Sequence, residues 1–251
     1  MGAIGGASPD LAIRIAAAMT LIQLGIGVTN DVVDAPHDAG RKPGKPIPAG
    51  LVGIGAARAA AVVLFFAGLA VAWSVSPALA VLAAVVAAIG LTYDLWLKGT
   101  AWSWLPFAVG IPLLPVFGWI GATGGIHRAF GVLVPAAVAA GAALAIGNAL
   151  VDVERDRAAS RTSVAARLGP PMASRVAAIL LALVLIATLA SAAAVGSSAP
   201  VLLGLLVAGG VPVVAAALAG GQDPSAREIA WRIEAIGLAV LAIAWIRVVL
   251  V

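Results

Sequence analysis

Long apolar stretches separated by short polar breaks run the whole length of the chain. Eight are long enough to cross roughly 30 Å of hydrocarbon at about 1.5 Å per helical residue. They are Leu11–Val33, Ala56–Ser74, Pro77–Leu97, Trp104–Gly121, Ala129–Val151, Met172–Val195, Pro200–Ala219 and Ile229–Leu250. All are rich in Ala, Leu, Val and Gly, and none shows the period-two alternation of a membrane barrel strand. Each therefore predicts a helix, and the small residues allow close helix–helix approach. The expected fold is all-α, a polytopic transmembrane helical bundle forming a single domain over residues 1–251, with related motifs near 30–50 and 148–169.

Composition sharpens this picture. Of 251 residues, 63% are hydrophobic and only 10% charged, against about 25% charged in a soluble domain. The mean hydropathy of +1.11 removes soluble enzyme folds and makes the lipid bilayer an expected partner. The absence of cysteine excludes disulfide scaffolds, zinc–thiolate sites, iron–sulfur clusters and cysteine nucleophiles. Any chemistry must come from carboxylates, bases or a hard metal.

A net charge of +4 raises the question of nucleic acid, but the basic residues are scattered through short loops and no nucleic-acid partner is expected. The first connection holds Arg41, Lys42, Lys45 and Arg58, the third Lys98, the fifth Arg155, Arg157, Arg161, Arg167 and Arg175, and the seventh Arg227. The second and sixth hold none and the fourth only Arg128. By the positive-inside rule the odd connections face the cytoplasm, which puts both termini outside. Met1–Thr20 has no basic n-region of a signal peptide, so the first stretch is read as a true span. Most of the seven Trp, including Trp73, Trp102, Trp104 and Trp119, fall near span ends and are expected at the membrane interface.

The acidic residues gather at the ends of the first and fifth spans. Asn30-Asp31-Val32-Val33-Asp34-Ala35-Pro36-His37-Asp38 and Asn148-Ala149-Leu150-Val151-Asp152-Val153-Glu154-Arg155-Asp156 both contain Asn-x3-Asp-x3-Asp. Every member of the second lies 118 residues beyond its counterpart in the first. Residues at i, i+4 and i+8 share a helix face, so each cluster is expected to present an amide and two carboxylates along one stripe. Pro36 removes a helical N–H and is expected to kink or end its helix, leaving Asp38 on a turn. Glu154 lies two residues from each neighbouring aspartate and should point elsewhere.

A charge at mid-bilayer costs roughly 2.5–3.5 kcal/mol on insertion scales, so carboxylates leading out of a span usually face a polar cavity. Several together repel one another, and Mg2+, which prefers oxygen ligands and bridges carboxylates to phosphates, relieves that repulsion. Asp34, Asp38, Asp152 and Asp156 are the candidate ligands. The basic runs that follow each cluster suit a phosphorylated substrate.

Asn-Asp-x2-Asp-x3-Asp followed by Lys-Pro-x2-Pro-Ile-Pro-x-Gly resembles the first signature of the UbiA-type intramembrane prenyltransferases. The second cluster, continuing through Arg161-Thr162-Ser163-Val164-Ala165-Ala166-Arg167-Leu168-Gly169, resembles their second. Tyr93-Asp94-Leu95-Trp96-Leu97-Lys98 is similar to the family's Tyr and Lys segment. The resemblance implies Mg2+-dependent transfer of a polyprenyl group from its diphosphate to an aromatic or other lipophilic acceptor, at the cytoplasmic side of the membrane. It implies that Asn30, Asp34, Asp38, Asn148, Asp152 and Asp156 surround the Mg2+–diphosphate, and that Arg41, Lys45 and Lys98 neutralise the leaving group. Tyr93 falls in the same substrate-binding segment, and Asp94 is implied in orienting the acceptor or taking its proton. Family members usually have nine spans with the first motif ending the second; here it ends the first, so either a leading helix lies upstream of Met1 or the bundle has an open flank. The alternative from the residues alone is an ion-coupled transporter using the acidic clusters as a cation site. Its expected marks are inverted repeats and broken helices at the midplane, whereas the repeat here is parallel and its acids lie at the membrane edge.

Overall fold

All eight apolar stretches are helical, and no β-strand occurs among the described residues of the computed structural model, which are 5–40, 44–221 and 223–250. The helices are α1 (Pro9–Asp38), α2 (Ile54–Val75), α3 (Pro77–Thr92), α4 (Leu105–Thr123), α5 (Phe130–Val151), α6 (Val153–Ala158), α7 (Val164–Leu168), α8 (Pro170–Ala194), α9 (Ala199–Ala219) and α10 (Pro224–Leu250). A π-helical segment, Tyr93–Leu97, continues α3, and α6 and α7 are short pieces outside the spans. The chain is a multi-pass integral membrane protein. Its surface carries large apolar side chains such as Phe66, Ile179, Leu203, Ile236 and Ile243, which belong against lipid rather than water.

Local chemistry sets the helix starts. Ser8 accepts a hydrogen bond from Leu11 N at 3.3 Å ahead of Pro9, and Ser76 accepts from Leu79 N at 3.1 Å ahead of Pro77. Each serine satisfies an otherwise orphaned N–H, and each proline occupies a first-turn position where its own missing N–H costs nothing. Gly169, at φ +77°, ends α7 and lets Pro170 begin α8 immediately, a conformation that favours glycine.

The chain divides into two compact units, Met1–Trp96 with Leu113–Ile126, and Leu97–Pro112 with His127–Val251. In the first, α1 packs along α2 and α3 around Ile15, Ala18, Ile22, Ala72, Leu79, Ala83, Val86 and Phe117. Close approach needs small residues here: a Cβ on Gly68 would lie 2.9 Å from Ile22 and 3.1 Å from the Ala18 carbonyl oxygen. In the second unit, α5 packs on α8 and α10, and α9 on both of those. Of its apolar window 56% is buried, against 17–28% for the other spans, so α5 is the central helix of this unit.

The structure corrects three expectations. α1 does not break at Pro36 but continues to Asp38, closing with Ala39 N to Ala35 O at 3.2 Å; so near a helix end the proline forfeits one bond without unwinding the turn. Asp38 consequently stays helical and is buried. The second motif does the opposite. α5 ends at Val151, Asp152 adopts φ −97°, ψ 5°, and α6 starts at Val153, so its stripe is not one continuous helix. Trp119 is buried in α4 instead of anchoring at the interface, while Trp73 and Trp102 are exposed at span ends.

Candidate active site

Each unit carries one aspartate motif. In the first, Asn30 is half-buried on α1 about two turns before the helix end, and its amide donates to Asp94 Oδ1 at 2.8 Å. Asp94 is buried within the π-helical segment. A π turn shifts the register of the side chains beyond it and recurs at functional sites; here it brings the Asp94 carboxylate onto α1. Sequence reasoning gave Asn30 to the diphosphate and Asp94 to the acceptor, and the structure joins them directly. Tyr93 stands beside Asp94, half-buried.

Asp34 is half-buried one turn beyond Asn30, and Asp38 is buried a turn further on. Lys45, in the loop that returns toward α2, pairs with Asp31. The hydrogen bond from Lys45 to Asp31 raises the lysine above its ordinary value; partial burial opposes this, and the charges of Asp31, Asp38 and Asp34 add to it. The loop cation is thus held on Asp31 and feels the charges of Asp34 and Asp38. Asp31, quoted in the motif but given no role, is the residue that holds it; its place beside Asn30 was the available signal. Arg41 lies outside the described residues.

In the second unit Asn148 is half-buried near the end of α5. Asp152 caps the break and pairs with Arg155 at 2.7 Å, and Asp156 N donates back to Asp152 O at 2.8 Å, so one helical bond spans the two carboxylates. Asp156 is buried, with Arg161 at 4.0 Å. Gly99, next to Lys98, packs on the Arg161 side chain, so the segment carrying Lys98 joins the basic loop of the second motif.

Glu154, two residues from each aspartate, is half-exposed yet engaged by a partner from α10. It accepts from Arg227 Nη1 at 2.6 Å. Burial pushes the Glu154 carboxyl upward, and the Arg227 hydrogen bond, with the charges of Arg227 and Arg157, outweighs it and holds the group below the usual glutamate value. Arg227 is itself buried. Glu234, two turns along α10, is also buried, lies against Gly147, and has no hydrogen-bond partner for Oε2 among the described residues. Sequence reasoning missed both α10 residues, although an acidic residue within an apolar span was a visible signal.

The chain belongs to the UbiA prenyltransferase family, whose model matches residues 1–246. A digeranylgeranylglyceryl phosphate synthase from Methanoregula boonei is 35% identical over 159 residues, which is 61% of this chain and 55% of that protein, so the match spans little more than half of the relative's length. Among solved structures, a digeranylgeranylglyceryl phosphate synthase aligns with TM-score 0.73 at 15% identity, covering 99% of this chain and 91% of that one. An apo UbiA homologue from Aeropyrum pernix K1 gives TM-score 0.69 at 19% identity over 93% and 90% of the two chains. One from Archaeoglobus fulgidus bound to GPP and Mg2+ gives 0.70 at 16% over 98% and 90%. At these identities the structural matches speak to the fold.

The carboxylates of each motif suit a hard divalent cation. Asp34, Asp38, Asp152 and Asp156 offer oxygen only, two of them buried, and the chain has no thiol to favour a softer metal. Among the described residues no three His, Cys, Asp or Glu side chains gather into a cage. Mg2+ does not need one, since it is commonly held by one or two carboxylates together with substrate phosphates and waters.

Proposed function

We propose that the protein is a Mg2+-dependent prenyltransferase that moves a polyprenyl group from its diphosphate to a lipophilic acceptor. The observation that carries this reading is the duplicated Asn-x3-Asp-x3-Asp motif in a chain of the UbiA prenyltransferase family. The GPP and Mg2+ bound to the Archaeoglobus homologue support the donor and the metal. The glyceryl phosphate in the names of two relatives supports testing a prenylated glycerol phosphate beside aromatic acceptors.

Asp34 and Asp38 in the first motif, and Asp152 and Asp156 in the second, are the residues that would hold Mg2+ for a donor diphosphate. A divalent cation held there would supply electrostatic stabilisation of a diphosphate leaving group. Lys45 and Lys98 add fixed positive charge toward the leaving group, and Asn30 holds the Asp94 carboxylate in one orientation, ready to receive the acceptor's hydrogen bond or proton.

Purified protein in lipid nanodiscs, given Mg2+, prenyl diphosphates of graded length and an acceptor panel, should yield a prenylated product by mass spectrometry. Failure with every donor, alongside cation-driven solute uptake in vesicles, would move the protein to the transporter class.

The site is proposed to face the cytoplasm. The chain contains no cysteine, so single cysteines can be read without background. Cysteine placed at Gly44 should label only from the cytoplasmic side and cysteine at Ser197 only from the opposite side. Labelling of both from outside contradicts the assignment.

Lys45→Ala should raise the donor KM several-fold, by about 1 kcal/mol, with little change in kcat, because the lost charge is partly exposed and other cations remain. A loss confined to kcat would show instead that Lys45 acts on the chemical step.

A further inference from the structure

The break at Asp152 poses a mechanical problem. α6 has six residues, far too few to be stable alone, yet it carries Asp156 and must hold it in register with Asp152. Its orientation is set from outside: α6 packs on α5 and α7, and Arg227 of α10 reaches it with a charged hydrogen bond.

Three side chains of α10 meet the chain on both sides of the break. Trp231 Nε1 donates to Leu144 O at 3.2 Å on α5. A Cβ on Gly147 would stand 2.7 Å from Glu234 Oε2 and 3.1 Å from Trp231, so α10 sits directly on the α5 backbone one residue before Asn148. Beyond the break, the buried Arg227 bonds Glu154 at 2.6 Å. Residues 227 and 234 are two helical turns apart, about 10.5 Å, and the contacts run antiparallel, 234 to 147 and 227 to 154. Two residues along a helix turn the side chain by about 200°. Tying Glu154 to α10 therefore turns Asp152 and Asp156 together toward the opposite face.

We propose that Arg227, with Trp231 and Glu234, positions the second aspartate motif by splinting α5 to α6 across the break at Asp152. These are positioning residues, acting through Glu154 and Gly147, and the proposal rests on the Mg2+–diphosphate reading. It accounts for two otherwise unexplained features, an arginine and a carboxyl both buried on α10, since ionisable groups in a membrane helix usually mark a functional role.

The test uses the full chain in nanodiscs, with Mn2+ in place of Mg2+ and a slow-reacting prenyl thiodiphosphate. Metal affinity is read by electron paramagnetic resonance and folding by the thermal midpoint. Glu154→Gln and Arg227→Gln should each weaken Mn2+ binding about tenfold, the lower end of what support-residue losses cost at metal sites. The double variant should be no weaker than either single, because the two act through one bond. Arg227→Lys should recover much of the affinity. Gly147→Ala, which displaces Glu234 without removing a charge, should weaken binding as well. Glu154 is half-exposed, so its variant remains informative even if the Arg227 variants fold poorly. Wild-type affinity in Glu154→Gln, or losses that multiply in the double variant, would overturn the proposal. Asp152→Asn separates the two levels: equal Mn2+ binding by it and the wild type removes the metal reading itself, and the splint with it.

Discussion

Asp34→Asn and Asp152→Asn are each expected to abolish Mg2+-dependent release of diphosphate from a polyprenyl donor. The substitution keeps the side chain's size and one acceptor oxygen while removing the charge that a hard cation requires. Support residues around a metal typically cost 10–100-fold when lost, so a ligand itself should cost at least about a hundredfold. Neither aspartate is among the buried core residues, so folding and insertion should change little. Diphosphate release is the decisive measurement because it reports ionisation of the donor without requiring the right acceptor. Full activity in either variant would leave the paired-motif mechanism without support, and loss of cation-driven uptake in both would favour transport.

The second large effect concerns stability. Gly141 lies at the centre of α5, where an added Cβ would stand 2.4 Å from the Phe107 carbonyl oxygen, 2.8 Å from its carbon and 3.1 Å from Ala108 Cα. These are backbone atoms of α4, so no side-chain rotation relieves the clash and the helices must separate. Gly141→Ala should cost about 1–3 kcal/mol as overpacking, with Gly141→Leu costing more. Gly204 on α9 has nothing within 4 Å of its Cβ position. Gly204→Ala should be neutral or stabilising by about 0.5–1 kcal/mol through helix propensity. Thermal midpoints in one detergent compare the two directly, and an unchanged midpoint for Gly141→Ala would show that α4 yields without cost.

How far the sequence reached is best judged from its second motif. The residues, their order and their 118-residue offset were legible, because motif identity is local and a repeat is visible without coordinates. Helical spacing also predicted Glu154 off the aspartate face, but not its bond to Arg227. The same spacing predicted one continuous stripe, and there it failed, since whether a helix continues through Asp152 depends on what α6 can lean against. At Pro36 local reasoning erred the other way, predicting an interruption where the helix runs on to Asp38.

By itself, then, the sequence determined the eight spans, the alternation of charge between successive connections and the candidate ligands. Hydropathy over some twenty residues and charge between spans act over distances shorter than a helix. Only the tertiary structure decided that Asn30 meets Asp94, that Lys45 closes onto Asp31 and that Arg227 reaches Glu154. Those partners are 64, 14 and 73 residues apart in the chain. Such contacts depend on how helices rotate and pack against one another, a consequence of small-residue surfaces at Gly68, Gly141 and Gly147 that no local period records.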